Sequence, residues 1–204
     1  MARTVLLKTV GGDFTDACCR TAFASIAQRL ESRLPELRWR VYRGVTTPDV
    51  YAYGTGVEDV DPDRLDVAGL ESILQERGAL AHATLDILVL KASFAGASQS
   101  VRAQCHYVVE TDSSPGWEGE LFRWYDIEHM PGLAAVQGCV GARRFINEGR
   151  GPRSYACYDV ASAGVITTEP WLAVRQTRWS DRVRAQFRNT RRTMFRPLVL
   201  GSSE

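Results

Sequence analysis

The most informative stretch of the sequence is Trp124-Tyr125-Asp126-Ile127-Glu128-His129-Met130-Pro131, which is followed by an apolar run at 136–142 and by Arg143-Arg144-Phe145. Its pattern predicts an amphipathic helix, a break at Gly138 and then a strand. The whole chain has three histidines, and one of them stands here beside two carboxylates and two aromatic rings. Such neighbours set the pKa and the tautomer of an imidazole, so this stretch is the first candidate for chemistry.

The composition is typical of a soluble globular protein, with 45% hydrophobic and 24% charged residues in a chain of 204. This length allows one large domain or two small ones. A formal net charge of +1 gives no reason to expect nucleic acid or an anionic membrane as a partner. No apolar run approaches the roughly 20 residues that span a bilayer, and residues 1–10 resemble a strand more than a signal peptide.

The five cysteines have neither CxxC nor zinc-ligand spacing, and their number is odd. We expect buried, reduced thiols that pack as small hydrophobic residues, which predicts a cytoplasmic location. The histidines are scattered, so no metal site is predicted, although a meeting of His106, His129 and Glu128 in space stays an alternative. Without a phosphate-binding loop, a GxGxxG or a GxSxG motif, no cofactor is expected.

The first half of the chain predicts the order strand, helix, strand, strand, helix, strand. Alternating apolar residues indicate the strands, and apolar residues at helical spacing indicate the helices. The predicted elements are strands at 3–10, 38–45, 50–55 and 85–94, and helices from 15 to the break at Pro35 and from 61 to the break at Gly78.

The same order recurs after a small, polar stretch at 95–100 that suits a linker. The predicted elements are strands at 103–111, 139–147, 154–160 and 192–200, a helix at 118–136 and helical pieces within 168–189. Two βαββαβ repeats predict an α+β fold with two four-stranded antiparallel sheets, each with two helices on one face. Because such a sheet leaves its other face bare, we expect two ferredoxin-like halves, residues 1–96 and 101–204, to pack sheet to sheet.

The second half, roughly residues 103–198, resembles the dimeric α–β barrel superfamily and in particular its EthD-like branch. The residues that carry the resemblance are Trp124-Tyr125-Asp126-x-Glu128-His129-x-Pro131, Gly138, Ala142-Arg143-Arg144-Phe145 and Tyr155 to Tyr158. The resemblance implies a pocket between each sheet and its helices, with a helix-borne histidine near it. Members include cofactor-independent cyclases, isomerases and lyases, quinone-forming monooxygenases and haem-degrading proteins. The first half lacks the signature, so we expect one working site, in the second half.

Helical spacing brings Tyr125, Asp126 and His129 to one face. We predict that His129 is the catalytic acid–base group and that Asp126 or Tyr125 accepts a hydrogen bond that fixes its tautomer. Such a group would serve the enolisation of a β-dicarbonyl or aromatic substrate, followed by ring closure, isomerisation or elimination. General acid–base catalysis of this kind contributes roughly 100- to 10,000-fold in rate.

The predicted substrate-binding residues are Trp124, Arg143, Arg144, Tyr155 and His106. Consecutive strand residues face opposite ways, so one of the two arginines would hold an enolate or carboxylate. Tyr155 or Tyr158 would donate to a developing oxyanion. Each prediction has a structural alternative, since a histidine late in a helix can favour the helix dipole, a tryptophan can fill the core, and an arginine can pair with Asp126 or Glu128.

The predicted function is a cofactor-independent enzyme of cyclase, isomerase or lyase type that acts on a small apolar or aromatic molecule, as a monomer or homodimer. Aromatic residues near the motif, among them Trp117 and Phe122, favour an apolar pocket. The alternatives are a cofactor-free quinone-forming monooxygenase, a haem-binding protein with His129 as iron ligand, and a non-catalytic binding or assembly protein.

Overall fold

The computed structural model describes residues 3–10, 15–31, 37–57 and 83–199. The chain divides into two compact units, Met1–Val89 with Arg196–Glu204, and Leu90–Phe195. The domain boundaries at residues 96 and 101 stay a prediction. Within the described ranges, no helix combines the length and the apolar character that crossing a membrane requires.

The N-terminal unit has a four-stranded antiparallel sheet. Its described elements are β1 (Arg3–Thr9), α1 (Asp16–Glu31), β2 (Arg38–Gly44), β3 (Val50–Val57) and β4 (Thr84–Ala95), the last of which continues into the second unit. β1 pairs with β3 and β4, and β2 pairs with β3, so the order is β4-β1-β3-β2. The helix predicted from 61 to Gly78 lies outside the described residues.

The C-terminal unit has the complete predicted element order. Its elements are β5 (Cys105–Ser113), α2 (Glu118–Trp124), α3 (Met130–Ala134), β6 (Cys139–Asn147), β7 (Ser154–Val160), α4 (Glu169–Val174), α5 (Arg178–Arg184) and β8 (Phe187–Leu198). One π-helical turn, Tyr125–His129, joins α2 to α3, and a 3₁₀ turn, Ala163–Thr167, precedes α4. Strand pairing gives the order β8-β5-β7-β6, which matches the order in the first unit. That the chain is a tandem repeat stays a prediction.

The eight strands follow the closed antiparallel order β1-β3-β2-β8-β5-β7-β6-β4. The predicted α+β class and the barrel of eight strands are therefore confirmed. In a strand, successive side chains point to opposite faces, so each strand presents one set of residues to the helices and another set to the other side of the sheet.

The core of the C-terminal unit lies between its helices and one face of its sheet. The helices contribute Leu121, Trp124, Met130 and Leu133, and the strands contribute Val109, Ala142, Ala156, Tyr158 and Val160. All of them are buried. Full burial of one large apolar side chain stabilises by about 1.5–3 kcal/mol, so this layer fixes where the helices sit on the sheet.

The last strand begins earlier than the sequence predicts. The helical pieces expected within 168–189 are α4 and α5, but Phe187 is already the first residue of β8 and pairs with Ser113. Phe187 stands four residues after the buried Val183, which is helical spacing. An apolar residue directly after a helix fits both helical spacing and the alternation of a strand. The pairing of Phe187 with the sheet decides that it belongs to the strand.

The predicted linker at 95–100 is a packed connection. Ala97 N–H donates to the Ala134 carbonyl and Ser98 N–H donates to the Cys139 carbonyl, each at 2.8 Å. The buried Ser98 hydroxyl accepts from the backbone N–H of Gly138 at 2.9 Å. A Cβ on Gly96 would lie 2.2 Å from the Cys139 carbonyl oxygen, so the small residues here allow close approach rather than flexibility.

Candidate active site

A cavity of about 360 Å³, which includes its opening to solvent, lies between the helices and the sheet of the C-terminal unit. Its walls are largely aromatic: Tyr107, Trp124, Tyr125, Tyr158, Trp171 and Phe187. His129 and three arginines also line it. Small-molecule sites are concave, mostly apolar and lined by a few placed polar groups, so this cavity has the form of such a site.

The π-helical turn positions His129 in the cavity wall. The backbone N–H of Met130 donates to the carbonyl of Tyr125, an i→i+5 bond that inserts one extra residue into the turn. The wider turn carries residue 129 back over residue 124, so the His129 ring stacks on the Trp124 ring with centroids 4.1 Å apart and planes 21° apart. Tyr125 contacts His129 edge-on, with centroids at 5.7 Å. Single π turns occur frequently at functional sites.

Trp124 is fixed on its other side by a hydrogen-bond chain. Its indole N–H donates to Glu128 Oε1 at 3.2 Å, and the Thr177 hydroxyl donates to the same oxygen at 2.6 Å. Thr177 also caps α5, since its Oγ1 accepts from the backbone N–H of Ser180. The tryptophan that supports His129 is thus tied to two helices.

His129 is neutral at physiological pH. Its pKa is lowered to about 3, first by burial and then by the positive charges of Arg175 and Arg184. Its Nδ1 is buried and has no hydrogen-bond partner within the described ranges. A neutral imidazole carries one nitrogen that can accept a proton, which is the property that a general base requires.

This depressed pKa makes a prediction about stability in acid. The unfolded chain protonates His129 near its ordinary pKa of about 6.5, whereas the folded chain does not until about pH 3. The stability that the neutral imidazole contributes is therefore fully present above pH 6.5, and it is lost as the pH falls from 6.5 towards 3. Between pH 7 and pH 4, we expect wild type to lose about 3 kcal/mol more unfolding free energy than His129→Leu. Urea unfolding at both pH values measures the difference, and parallel losses in the two proteins would contradict it.

Asp126 does not contact His129, contrary to the prediction from helical spacing. Its carboxylate accepts two hydrogen bonds from Arg144, from Nε at 2.7 Å and from Nη2 at 2.6 Å. The Arg144 guanidinium also lies 4.8 Å from the centroid of the Phe122 ring. The extra residue of the π turn separates the faces that an α-helix would align, and a bidentate arginine is the stronger partner for a carboxylate.

Arg143 and His106 lie on the other face of the sheet. His106 Nδ1 is 2.7 Å from one oxygen of Asp159, and Arg143 donates to the other oxygen at 2.7 Å. Burial alone would raise the pKa of Asp159, but its contacts with His106 and Arg143 lower it to about 2. Arg143, Arg144 and His106 are not among the residues that line this cavity, and substrate binding by any of them stays a prediction.

Of the two tyrosines on β7, Tyr158 lines the cavity and Tyr155 does not. They stand three residues apart and so face opposite ways. The Tyr158 hydroxyl is buried and has no hydrogen-bond partner in the part of the chain that the structure describes. Burial raises the pKa of Tyr158 well above its usual value, so its hydroxyl keeps its proton and can donate.

Three residues of the cavity lining were not predicted from the sequence: Arg175, Arg184 and Arg192. The arginine-rich segment that contains them resembles a solvated helix face, and most of its arginines are exposed. The sequence contains only a weak indication of their position, which is the alternation of side chains along β8. Arg192 pairs with Val109 and so faces the helices, whereas its neighbour Arg191 pairs with Glu110 and faces the other side of the sheet. No cluster of metal-ligating side chains occurs among the residues described.

Comparisons with solved structures agree on the fold. A protein described as anthrone oxidase-like has a TM-score of 0.68 at 12% identity, covering 98% of this chain and 94% of that chain. A candidate monooxygenase of Fusobacterium nucleatum has a TM-score of 0.61 at 7% identity, covering 97% and 93%. A chlorite dismutase variant of Candidatus Nitrospira defluvii has a TM-score of 0.57 at 12% identity, covering 97% and 91%.

No protein-family model matches the chain, and no curated protein matches it. Identities of 7–12% to the solved structures named above carry the fold and not the reaction. The EthD-like branch stays a prediction. The chain has the dimeric α–β barrel fold.

Proposed function

We propose that the chain is an enzyme that moves a proton on a small aromatic substrate, with His129 as the acid–base group. One observation carries the proposal. A neutral imidazole, stacked on Trp124 and with a buried nitrogen that has no partner within the described residues, stands in the wall of an aromatic cavity. A neutral imidazole in a concave apolar site has a nitrogen that can accept a proton, which a general base requires.

The proposed step takes a proton from a C–H group that is acidified by a carbonyl, which is attached directly or conjugated through an aromatic ring. The substrate ring packs against the aromatic walls, and the basic nitrogen of His129 accepts the proton. The electron pair of the broken C–H bond moves to the carbonyl oxygen, where the Tyr158 hydroxyl donates a hydrogen bond to the resulting enolate. Return of the proton to another carbon completes an isomerisation, and attack on a second carbonyl or loss of a leaving group completes a ring closure or elimination.

The arginines that hold the pKa of His129 low also favour the product of this step. Arg175 and Arg184 oppose the imidazolium, so the free enzyme keeps its base unprotonated. When the proton moves, the negative charge of the enolate forms in the same cavity and offsets the guanidinium charges. Tyr125 supports His129 by its edge contact, and Asp126 acts through Arg144 in fixing the sheet to the π turn.

We expect Tyr158→Phe to separate stability from activity. The change removes a buried hydroxyl that has no partner among the described residues and leaves the ring in place, so unfolding free energy should rise by about 1 kcal/mol. Loss of one donor to an oxyanion should slow turnover roughly 100-fold. Urea unfolding and initial rates measure the two effects. Unchanged turnover would remove Tyr158 from the mechanism.

Solvent deuterium exchange tests the proton transfer itself. Anthrone is a suitable probe, because it is a flat aromatic ketone with an acidic CH₂ group. In D₂O without oxygen, we expect wild type to speed deuterium uptake at this carbon, as followed by proton NMR, and His129→Gln to lose the effect. His106→Gln is the matched control, since it changes the buried histidine on the other face of the sheet. Equal exchange by His129→Gln and wild type would refute the proposal.

A second candidate function is a cofactor-free oxygenation that forms a quinone. It is favoured by the structural neighbours described as anthrone oxidase-like and as a candidate monooxygenase. Its first step is the same deprotonation. The anion then gives electrons to molecular oxygen, and anthrone plus O₂ yields anthraquinone plus water. Oxygen uptake matched to anthraquinone formation would favour this function, whereas deuterium exchange without oxygen uptake favours the first.

The remaining two alternatives gain less support. For the haem alternative, a ring nitrogen of His129 would have to ligate the iron, whereas its Nδ1 is buried. The His129 ring is also stacked flat against Trp124, so we derive no step through haem. A purely structural role does not explain buried polar atoms of His129 and Tyr158 that have no partner in the described part of the chain.

A further inference from the structure

Three guanidiniums converge on the cavity from three different elements. Arg175 follows α4 directly, Arg184 is the last residue of α5, and Arg192 lies on β8. Arg175 and Arg184 are half-buried, and Arg192 is exposed at the cavity opening. The Arg184 Nη1 donates to the Arg175 carbonyl at 3.1 Å, so these two side chains are held near each other.

No described carboxylate forms an ion pair with this cluster, although the charge of Asp181 partly offsets that of Arg184. The cavity lining contains neither Asp nor Glu, and none of the three arginines forms an ion pair with a described carboxylate. Other arginines of the same unit do pair: Arg144 with Asp126 and Arg182 with Glu120. Burial and then the charges of Arg175 and Arg192 lower the pKa of Arg184, which shows the mutual repulsion. An anion in the cavity would relieve that repulsion.

A second observation in the same cavity points to a ligand. The hydroxyl of Tyr158 and the Nδ1 of His129 are both buried without a hydrogen-bond partner in the described ranges. Both residues are more than nine-tenths buried, and both line the cavity. Buried polar groups in native proteins are almost always satisfied, and a polar ligand in the cavity would satisfy these two.

We propose that the substrate of this site is a planar aromatic acid, whose ring stacks among the aromatic walls and whose carboxylate binds the arginine cluster. The planar fork of a guanidinium matches a carboxylate, with two parallel hydrogen bonds. Phosphate sites typically use backbone N–H groups at helix N-termini or glycine-rich loops, whereas no glycine lines this cavity. This inference rests on the proposed function only in calling the bound acid a substrate. The binding of the acid is tested independently of catalysis.

The test compares naphthalene-2-carboxylate with naphthalene-2-carboxamide, which has nearly the same shape and no charge. Isothermal titration calorimetry on the full chain measures both affinities. We expect the acid to bind at least tenfold more tightly than the amide, and added salt to reduce the difference. Arg184→Gln should weaken the acid about tenfold and leave the amide unchanged. Arg178→Gln is the matched control, because this arginine lies on the same helix, is exposed and is absent from the cavity lining.

Arg175→Gln repeats the test if Arg184→Gln does not fold. Any one of four results would overturn the proposal. They are equal affinity for acid and amide, equal losses in Arg184→Gln and Arg178→Gln, no binding of either compound, and tighter binding of 2-naphthyl phosphate than of the acid. Deuterium exchange into anthrone separates this inference from the proposed function, since it measures proton transfer without the acid. If acid binding behaves as expected while wild type exchanges no deuterium into anthrone, the arginine site stands and the proposed function fails.

Discussion

Replacement of His129 by glutamine should lower kcat for a turned-over substrate by about 100- to 10,000-fold and leave KM within a few fold. The amide cannot accept a proton, whereas the walls that bind the ring remain in place. Trp124, Tyr125 and Tyr158 are each almost completely buried, so they should hold the cavity in shape without the imidazole. Steady-state rates give both constants, and circular dichroism checks that the variant is folded.

The same assay on His106→Gln gives the comparison. His106 pairs with Asp159 on the other face of the sheet and is not among the residues that line the cavity. Its loss should affect stability more than kcat. If His129→Gln turned over at the wild-type rate, the catalytic assignment would have to be abandoned, and only the fold would remain.

Replacement of Trp124 by alanine should lower the unfolding free energy by about 3–5 kcal/mol, which is the usual cost of truncating a buried aromatic side chain to alanine. The indole is 1% exposed, stacks on His129 at 4.1 Å and lies 4.7 Å from Tyr125 and 6.0 Å from Phe187. It also donates to Glu128, whose carboxylate would keep only Thr177 as a partner. Urea unfolding measures the loss.

Trp179→Ala is the control for this change. Trp179 is half-buried and donates its indole N–H to Glu120 at 3.0 Å, so its loss should cost clearly less than that of Trp124. A cost below about 1 kcal/mol for Trp124→Ala would contradict the packing described for the π turn.

The fold was predictable because the local patterns of the sequence, apolar alternation and glycine breaks, agree with the elements of the structure. Apolar alternation in 139–147 and 154–160 predicts two strands that the structure contains as β6 and β7. Gly138, with φ of 94°, lies in the turn between the end of α3 at Ala134 and the start of β6 at Cys139. The boundary before β8 was missed because Phe187 fits both a helix and a strand, and its pairing with Ser113 depends on residues distant in sequence.

The candidate site was predictable only in part. The motif singles out His129 and Trp124, which the structure brings together, but periodicity treats the segment as a regular helix. The π turn depends on a shift of one backbone hydrogen bond, from i→i+4 to i→i+5, and side-chain spacing does not reveal such a shift. For that reason Asp126 was assigned to His129, whereas the structure pairs it with Arg144.

The arginine cluster could not be read from the sequence for a different reason. Arg175, Arg184 and Arg192 come from three elements, and their convergence depends on how the helices lie on the sheet. Along the chain they are mixed with exposed arginines such as Arg178 and Arg188. Composition therefore suggests a solvated surface, and three-dimensional packing is needed to separate the cavity arginines from the others.

The most direct test of the account is the charge state of His129, read from the ring nitrogen chemical shifts in an NMR titration of ¹⁵N-labelled protein. We expect the imidazole of His129 to be neutral at every pH from 7 down to 5, because burial and the charges of Arg175 and Arg184 lower its pKa to about 3. Naphthalene-2-carboxylate should shift the same resonances. An imidazole that titrates near pH 6.5 and does not respond to the acid would contradict the account, since it would place the ring in solvent rather than in the cavity wall.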